Sequence, residues 1–181
     1  PAKPLGCYGD GGAVFTSDDD LAHILRSIRV HGGGADKYDN VRVGINGRLD
    51  ALQAAVLLEK LAIFPDEVLY RNRAAEYYTN NLPVCFRPPI VPKNYLSSWA
   101  QYSILLEADK NRDSVIILLK QQNIPTMIYY KIPLHLQQVF YYLGYEKGDF
   151  PVSEKTSENI LSIPMHPYIK TSEQDKILEA L

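Results

Sequence analysis

The chain has 181 residues, of which 46% are hydrophobic and 22% charged, enough apolar material for a domain-sized core. A net charge of −2 argues against the basic face that nucleic-acid binding usually needs, and Cys7 and Cys85 show no metal-ligand spacing. No apolar run approaches the roughly 18 residues of a membrane-crossing helix, so a cytoplasmic protein with reduced thiols is the expectation.

In chain order, Gly9-Asp10-Gly11-Gly12 reads as a tight turn, and Ala13-Val14-Phe15-Thr16 as a short buried strand. Ser17 to Asp20 supplies a capping oxygen followed by acids, the pattern of a helix start. Leu21, Ile24, Leu25 and Ile28 fall at helical spacing, with His23 on the solvent side, and the helix ends at His31-Gly32-Gly33-Gly34. Residues 32–47 form a long polar loop with Lys37, Tyr38, Asn46 and Arg48 in or beside it. Loops of this length are usually functional or disordered, and the alternation of Val41, Val43 and Ile45 predicts that part of this one is pinned.

Leu49 to Leu61 reads as a helix, Pro65 as a break, and Asp66 to Asn80 as a second helix. Val84 to Val91 is extended, and Trp99 to Leu106 alternates like a strand. Arg112 to Gln122 is a helix with Val115, Ile116, Leu118 and Leu119 inward, and Thr126 to Tyr130 is a β-branched and aromatic strand. A helix from Pro151 to about Ser162 follows, and Ser172 opens the last one. From Val84 on, the order predicts an α+β arrangement with helices on one side of a small sheet. Three segments are expected: 1–48 as the end of a large domain, 49–82 as connecting helices, and 83–181 as a small α+β domain. A start almost inside a turn, without Met, suggests a piece of something longer.

Four features carry possible chemistry. Lys3 precedes the Gly-rich turn, where a desolvated amine would become a nucleophile towards a carbonyl; a surface lysine is the plain alternative. The Gly9–Gly12 turn is either structural or a cradle of backbone N–H groups for a phosphate. Asn46-Gly47-Arg48 stands just before a helix N-terminus and suits an anion, or else Asn46 is only a turn residue and Arg48 a surface cation. Tyr129-Tyr130-Lys131 through His135 either walls a ligand site or contributes core tyrosines. The histidines show no metal-ligand spacing, so His31, His135 and His166 read as neutral polar side chains.

Together these residues resemble the DegT/DnrJ/EryC1/StrS aminotransferases. Pro1-Ala2-Lys3-Pro4-Leu5-Gly6 running into Tyr8-Gly9-Asp10-Gly11-Gly12 is similar to the family's Schiff-base segment. Ile28 to Gly32, Gly44 to Asp50 with Gln53-Ala54-Ala55, Tyr130 to Gln137 and Leu161 to Tyr168 match further blocks. The resemblance spans the whole chain. It implies an α/β fold, that of a fold-type I aminotransferase: the end of the large pyridoxal-phosphate domain plus a small α+β domain. It implies pyridoxal 5'-phosphate as cofactor, glutamate as amino donor, and a nucleotide-linked keto sugar as acceptor.

Residue by residue, Lys3 matches the lysine that joins the cofactor covalently and later moves the proton. Asn46 matches an asparagine that reaches the cofactor phosphate of the neighbouring subunit. Arg48 would lie at the substrate mouth, and Tyr129 and Tyr130 would contact the nucleotide sugar across a homodimer. Close relatives often carry His and Pro where this sequence has Tyr129 and Lys131. The Lys3 and Asn46 blocks are most similar to enzymes that aminate the third carbon of a UDP-linked N-acetyl-hexuronic acid, in surface polysaccharide or glycan biosynthesis. The alternatives are a fourth-carbon aminase, a non-catalytic piece of such an enzyme, and a non-enzymatic interaction domain. A dehydratase relative would carry His in place of Lys3. The acid that pairs with the pyridine nitrogen lies ahead of the lysine in this family, so these residues alone are expected to bind the cofactor poorly.

Overall fold

The computed structural model describes residues 3–36, 38–107 and 110–181. Pro1, Ala2 and Lys37, used in the sequence reading, lie outside the described residues. The chain forms two compact units, the first ending at Phe64 and the second comprising Pro65–Leu181.

In the first unit, α1 spans Asp19–Arg29. Asp18 is its N-cap, with a side-chain oxygen accepting from Leu21 N at 3.0 Å, and Asp19 and Asp20 favour the positive end of the helix dipole. Leu25 and Ile28 are partly covered, but Leu21 and Ile24 stay exposed at 43% and 39%, so the predicted apolar face is only half used here. Ala13 to Thr16 forms no strand, and Phe15 is 91% exposed. A strand exists only through pairing, and none of the described residues pairs with this segment.

The loop after α1 is pinned, though by backbone bonds rather than by buried valines, since Val43 is 95% exposed. His31 N donates to Ile45 O at 2.9 Å, Ile45 N to Ile28 O at 2.8 Å, and Gly47 N to Arg29 O at 2.8 Å. Two glycines permit this close approach. Gly32 sits at φ 76°, where a Cβ would meet the Arg42 carbonyl, and a Cβ on Gly44 would overlap Gly32 N.

A single helix, α2, spans Ala51–Asn81, where the sequence reading has two. Pro65 lies inside it and removes one N–H from the ladder without ending the helix. The division between the two units falls at this proline.

The second unit is built on a three-stranded antiparallel sheet in the order β1-β2-β3: Phe86–Arg87, Tyr102–Leu106 and Ile160–Ile163. Tyr102, Ile104 and Leu106 alternate into the core from the central strand, as its sequence alternation predicts. The helices are α3 (Arg112–Gln121), α4 (Pro151–Asn159) and α5 (Thr171–Glu179). Asn111 caps α3, and Val115 and Leu119 enter the core beside Tyr78, Leu161 and Ile177. Leu118, expected inward, is 51% exposed: on this helix the inward stripe is the i, i+4 pair of Val115 and Leu119.

The third strand is not Thr126 to Tyr130. That segment contributes only an isolated bridge, Met127 to Ser162. The strand position is taken by Ile160–Ile163, which the sequence reading assigns mostly to the end of α4. Between Met127 and α4 lie two 3₁₀ turns, Leu134–Leu136 and Gln138–Leu143. No helix among the described residues is long and apolar enough to cross a membrane.

Candidate functional site

Within the first unit, the Gly-rich turn and the end of the long loop converge at the start of α2. Gln53, in the first turn of α2, donates through Nε2 to Cys7 O at 3.0 Å and Asp10 O at 3.2 Å. The turn is thereby tied to the helix. At Gly9, with φ 153°, a Cβ would stand 2.8 Å from that same Gln53 nitrogen, which would have to shift. Opposite the turn, Arg48 Nε donates to Asn46 Oδ1 at 3.0 Å. This pair orients the guanidinium and leaves the Asn46 amide N–H groups and the other Arg48 nitrogens as donors.

The result is an open cleft of about 1320 Å³, lined by Tyr8, the Gly9–Gly12 turn, Asn46, Gly47, Arg48 and the first residues of α2. The first N–H groups of α2 have no partner within the helix, so backbone, amide and guanidinium donors face one concave surface. Such a surface suits an anion. Two of the predicted site residues, Asn46 and Arg48, are brought together here. Lys3 is exposed and is not among the residues lining the cleft.

Tyr129 and Tyr130 belong to the second unit. They line a separate cavity of about 420 Å³ with Pro133, Leu134 and the α4 residues Ser153 and Thr156. Tyr130 is 69% exposed and Tyr129 is half-buried, their rings edge to face at 5.5 Å, so neither is a core tyrosine. Lys131 is exposed at the rim of the same segment.

Sequence reasoning missed the polar device beside this cavity. His135 is buried, and its Nε2 donates to Glu154 Oε1 at 3.0 Å. Glu154 also accepts from Gly148 N at 2.8 Å and from Phe150 N at 3.3 Å. The backbone N–H of Gly148 is the main cause that holds the Glu154 carboxyl below its usual range, with His135 adding to it against the opposing effect of burial. Near the start of a helix, Glu154 reads from sequence as a dipole-favoured surface acid, and nothing local signals that it turns inward. Among the described residues, no group of three or more His, Cys, Asp or Glu side chains could hold a metal ion.

Residues 1–181 match the model of the DegT/DnrJ/EryC1/StrS aminotransferase family. The whole chain is 44% identical to 49% of the UDP-2-acetamido-2-deoxy-3-oxo-D-glucuronate aminotransferase of Pseudomonas aeruginosa. It is 40% identical, again over its full length and 49% of the relative, to a pleiotropic regulatory protein of Geobacillus stearothermophilus. In structure it superposes on a DegT/DnrJ/EryC1/StrS aminotransferase of Brucella abortus with a TM-score of 0.92 at 52% identity, covering 99% of this chain and 48% of that one. With DesV of S. venezuelae, solved in complex with a ketimine intermediate, the TM-score is 0.91 at 31% identity over 99% and 48% of the two chains. The chain thus spans about half the length of the relatives it matches. Its fold is the corresponding part of a fold-type I aminotransferase, and the family's cofactor is pyridoxal 5'-phosphate. By the match along its entire length and the superposition of its fold, this chain belongs to the DegT/DnrJ/EryC1/StrS aminotransferase family.

Proposed function

We propose that the whole protein is a pyridoxal-phosphate-dependent aminotransferase that moves an amino group from glutamate to a UDP-linked 3-oxo N-acetyl-hexuronic acid. The observation that carries this reading is the convergence of the Gly9–Gly12 turn with Asn46 and Arg48 on the cleft at the start of α2. It stands in a chain 44% identical to an enzyme named for amination of that class of sugar. The donor set fits the cofactor's phosphate: an amide, a guanidinium and unpaired backbone N–H groups. Lys3, upstream of the turn, supplies the amine that an aldehyde requires.

When bound, pyridoxal phosphate would supply the electron sink that loosens the α-carbon–hydrogen bond of the amino donor. The chain's own residues hold and position. Lys3 Nζ would hold the cofactor through its aldehyde and, when free, would serve as the base that accepts the proton from the α-carbon of glutamate. Asn46 Nδ2 holds a phosphate oxygen of the neighbouring subunit's cofactor, and Arg48 holds an anionic group of the substrate at the mouth. Tyr129 and Tyr130 present two phenols and two ring faces to the nucleotide sugar across a homodimer interface. By this reading residues 1–48 close the large domain, 49–82 connect, and 83–181 form the small domain. The setting is the cytoplasm, in surface polysaccharide or glycan synthesis.

The test is incubation of the whole protein with pyridoxal phosphate, glutamate and UDP-2-acetamido-2-deoxy-3-oxo-glucuronate, followed by mass spectrometry. Release of 2-oxoglutarate with a matching 3-amino sugar supports the proposal. Faster amination of a 4-keto sugar overturns the choice of carbon, and no 2-oxoglutarate with either sugar overturns the activity.

A further inference from the structure

The cavity beside Tyr129 and Tyr130 has two walls from different parts of the chain. One is the segment carrying Pro133, Leu134 and Gln137; the other is the α4 face with Ser153, Thr156 and Ser157. Nothing in the backbone ladder joins them: the segment makes 3₁₀ turns and α4 satisfies its own amides. The direct polar tie is the buried pair His135–Glu154, whose side chains are only 8% and 11% exposed. His135 projects from the middle of the first wall, flanked by Leu134 and Gln137. Glu154 projects from the second, between Ser153 and Thr156.

We infer that His135 is a positioning residue for the nucleotide-sugar subsite, holding the α4 wall of the cavity at a fixed spacing from the wall that carries Tyr129 and Tyr130. This rests on the proposed function, because it assigns the cavity to that substrate.

Three observations support a spacing role over simple packing. A buried carboxylate is costly to desolvate, and an apolar pair would fill the same volume at no such cost, so the pair is weak as a stabiliser. What it adds is direction: a hydrogen bond fixes separation and orientation where apolar contact does not. The Glu154 carboxylate is itself immobilised, with both oxygens on Gly148 N at 2.8 and 3.0 Å and Oε1 also on Phe150 N. The Phe150 ring packs on the imidazole at 4.7 Å, which holds His135 from its face. The far end of α4 is fixed independently, since Arg112 Nη1 donates to Ser157 O at 2.5 Å. With that end clamped, loss of His135 frees the near end, where Ser153 and Thr156 meet the cavity.

The experiment compares the whole protein with His135→Ala and His135→Gln. Two readouts are taken: calorimetric affinity for UDP-2-acetamido-2-deoxy-glucuronate, the 3-hydroxyl counterpart that cannot accept an amine, and the two half-reactions followed separately. His135→Ala is expected to weaken analogue affinity and raise KM for the keto sugar roughly tenfold, the effect of one lost charge-assisted hydrogen bond. The glutamate half-reaction stays within about twofold, because its contacts lie elsewhere. His135→Gln, whose Nε2 can still donate to Glu154, is expected to restore most of the affinity. Equal losses in both half-reactions by a folded His135→Ala protein, or unchanged analogue affinity, overturn the inference. If the alanine variant does not fold, the glutamine variant decides: wild-type affinity sustains the role, and a folded protein with tenfold weaker binding refutes it. Failure of the unmodified protein to bind the analogue or to react with glutamate overturns the functional reading, and this inference with it.

Discussion

Replacement of Gly44 by alanine is predicted to release the loop that delivers Asn46 and Arg48. The new Cβ would overlap Gly32 N and stand 2.7 Å from Ile28 O, and both are backbone atoms that cannot rotate away. To relieve the overlap the two strands of chain must part. Among the bonds that hold them, three flank Gly44 and its partner: His31 N to Ile45 O, Ile45 N to Ile28 O, and Gly47 N to Arg29 O. At about 1 kcal/mol net for each bond, their loss costs about 3 kcal/mol of local stability. That corresponds to roughly a hundredfold faster amide exchange. Hydrogen exchange of the whole protein, read on peptides covering residues 28–48, measures this directly. The same variant should bind pyridoxal phosphate less tightly, because the donors it positions are displaced. Exchange rates unchanged at His31, Ile45 and Gly47 in Gly44→Ala would refute the claim that close backbone approach seats this loop.

Other expectations follow from the second unit. Leu119 is fully buried in the core, so Leu119→Ala should cost about 2–5 kcal/mol in denaturant unfolding. Tyr78 is fully buried with its hydroxyl on Pro164 O at 3.0 Å, and Tyr78→Phe should cost about 0.5–1.5 kcal/mol, seen as a lower midpoint at unchanged slope. The Glu154 carboxyl is held below its usual range, chiefly by the Gly148 N–H. Its contribution is therefore present above the ordinary glutamate value of about 4.3 and lost as pH falls through the depressed folded value. The gap in melting temperature between the wild type and Glu154→Gln should narrow on acidification below about pH 4; a gap independent of pH would contradict the assignment.

What was legible in the sequence was what local chemistry decides. Asp18 caps α1 through a side-chain oxygen, and that helix start could be placed from the capping residue and the acids after it. Tyr102, Ile104 and Leu106 alternate, and the central strand follows. The errors lie where distant partners decide. Ala13 to Thr16 has strand composition but nothing described to pair with. Thr126 to Tyr130 and Ile160 to Ile163 are both β-branched or apolar enough for a strand. The second wins because Tyr102 to Leu105 pairs with it along its length, leaving the first a single bridge. Pro65 reads as a break by its missing donor, yet the helix continues on both sides of it. For the site, Asn46 and Arg48 could be picked out because they precede a helix start, and the structure brings both to the cleft. The inward turn of Glu154 towards His135 could not, since it depends on a tertiary meeting of residues 19 positions apart.

In the proposed function Lys3 carries the cofactor. Borohydride reduction of the whole protein with pyridoxal phosphate, followed by peptide mapping, tests it most directly. One pyridoxyl label, on Lys3, is expected, and none on the Lys3→Ala protein. A label on a different lysine, or amination by Lys3→Ala at the wild-type rate, would contradict it.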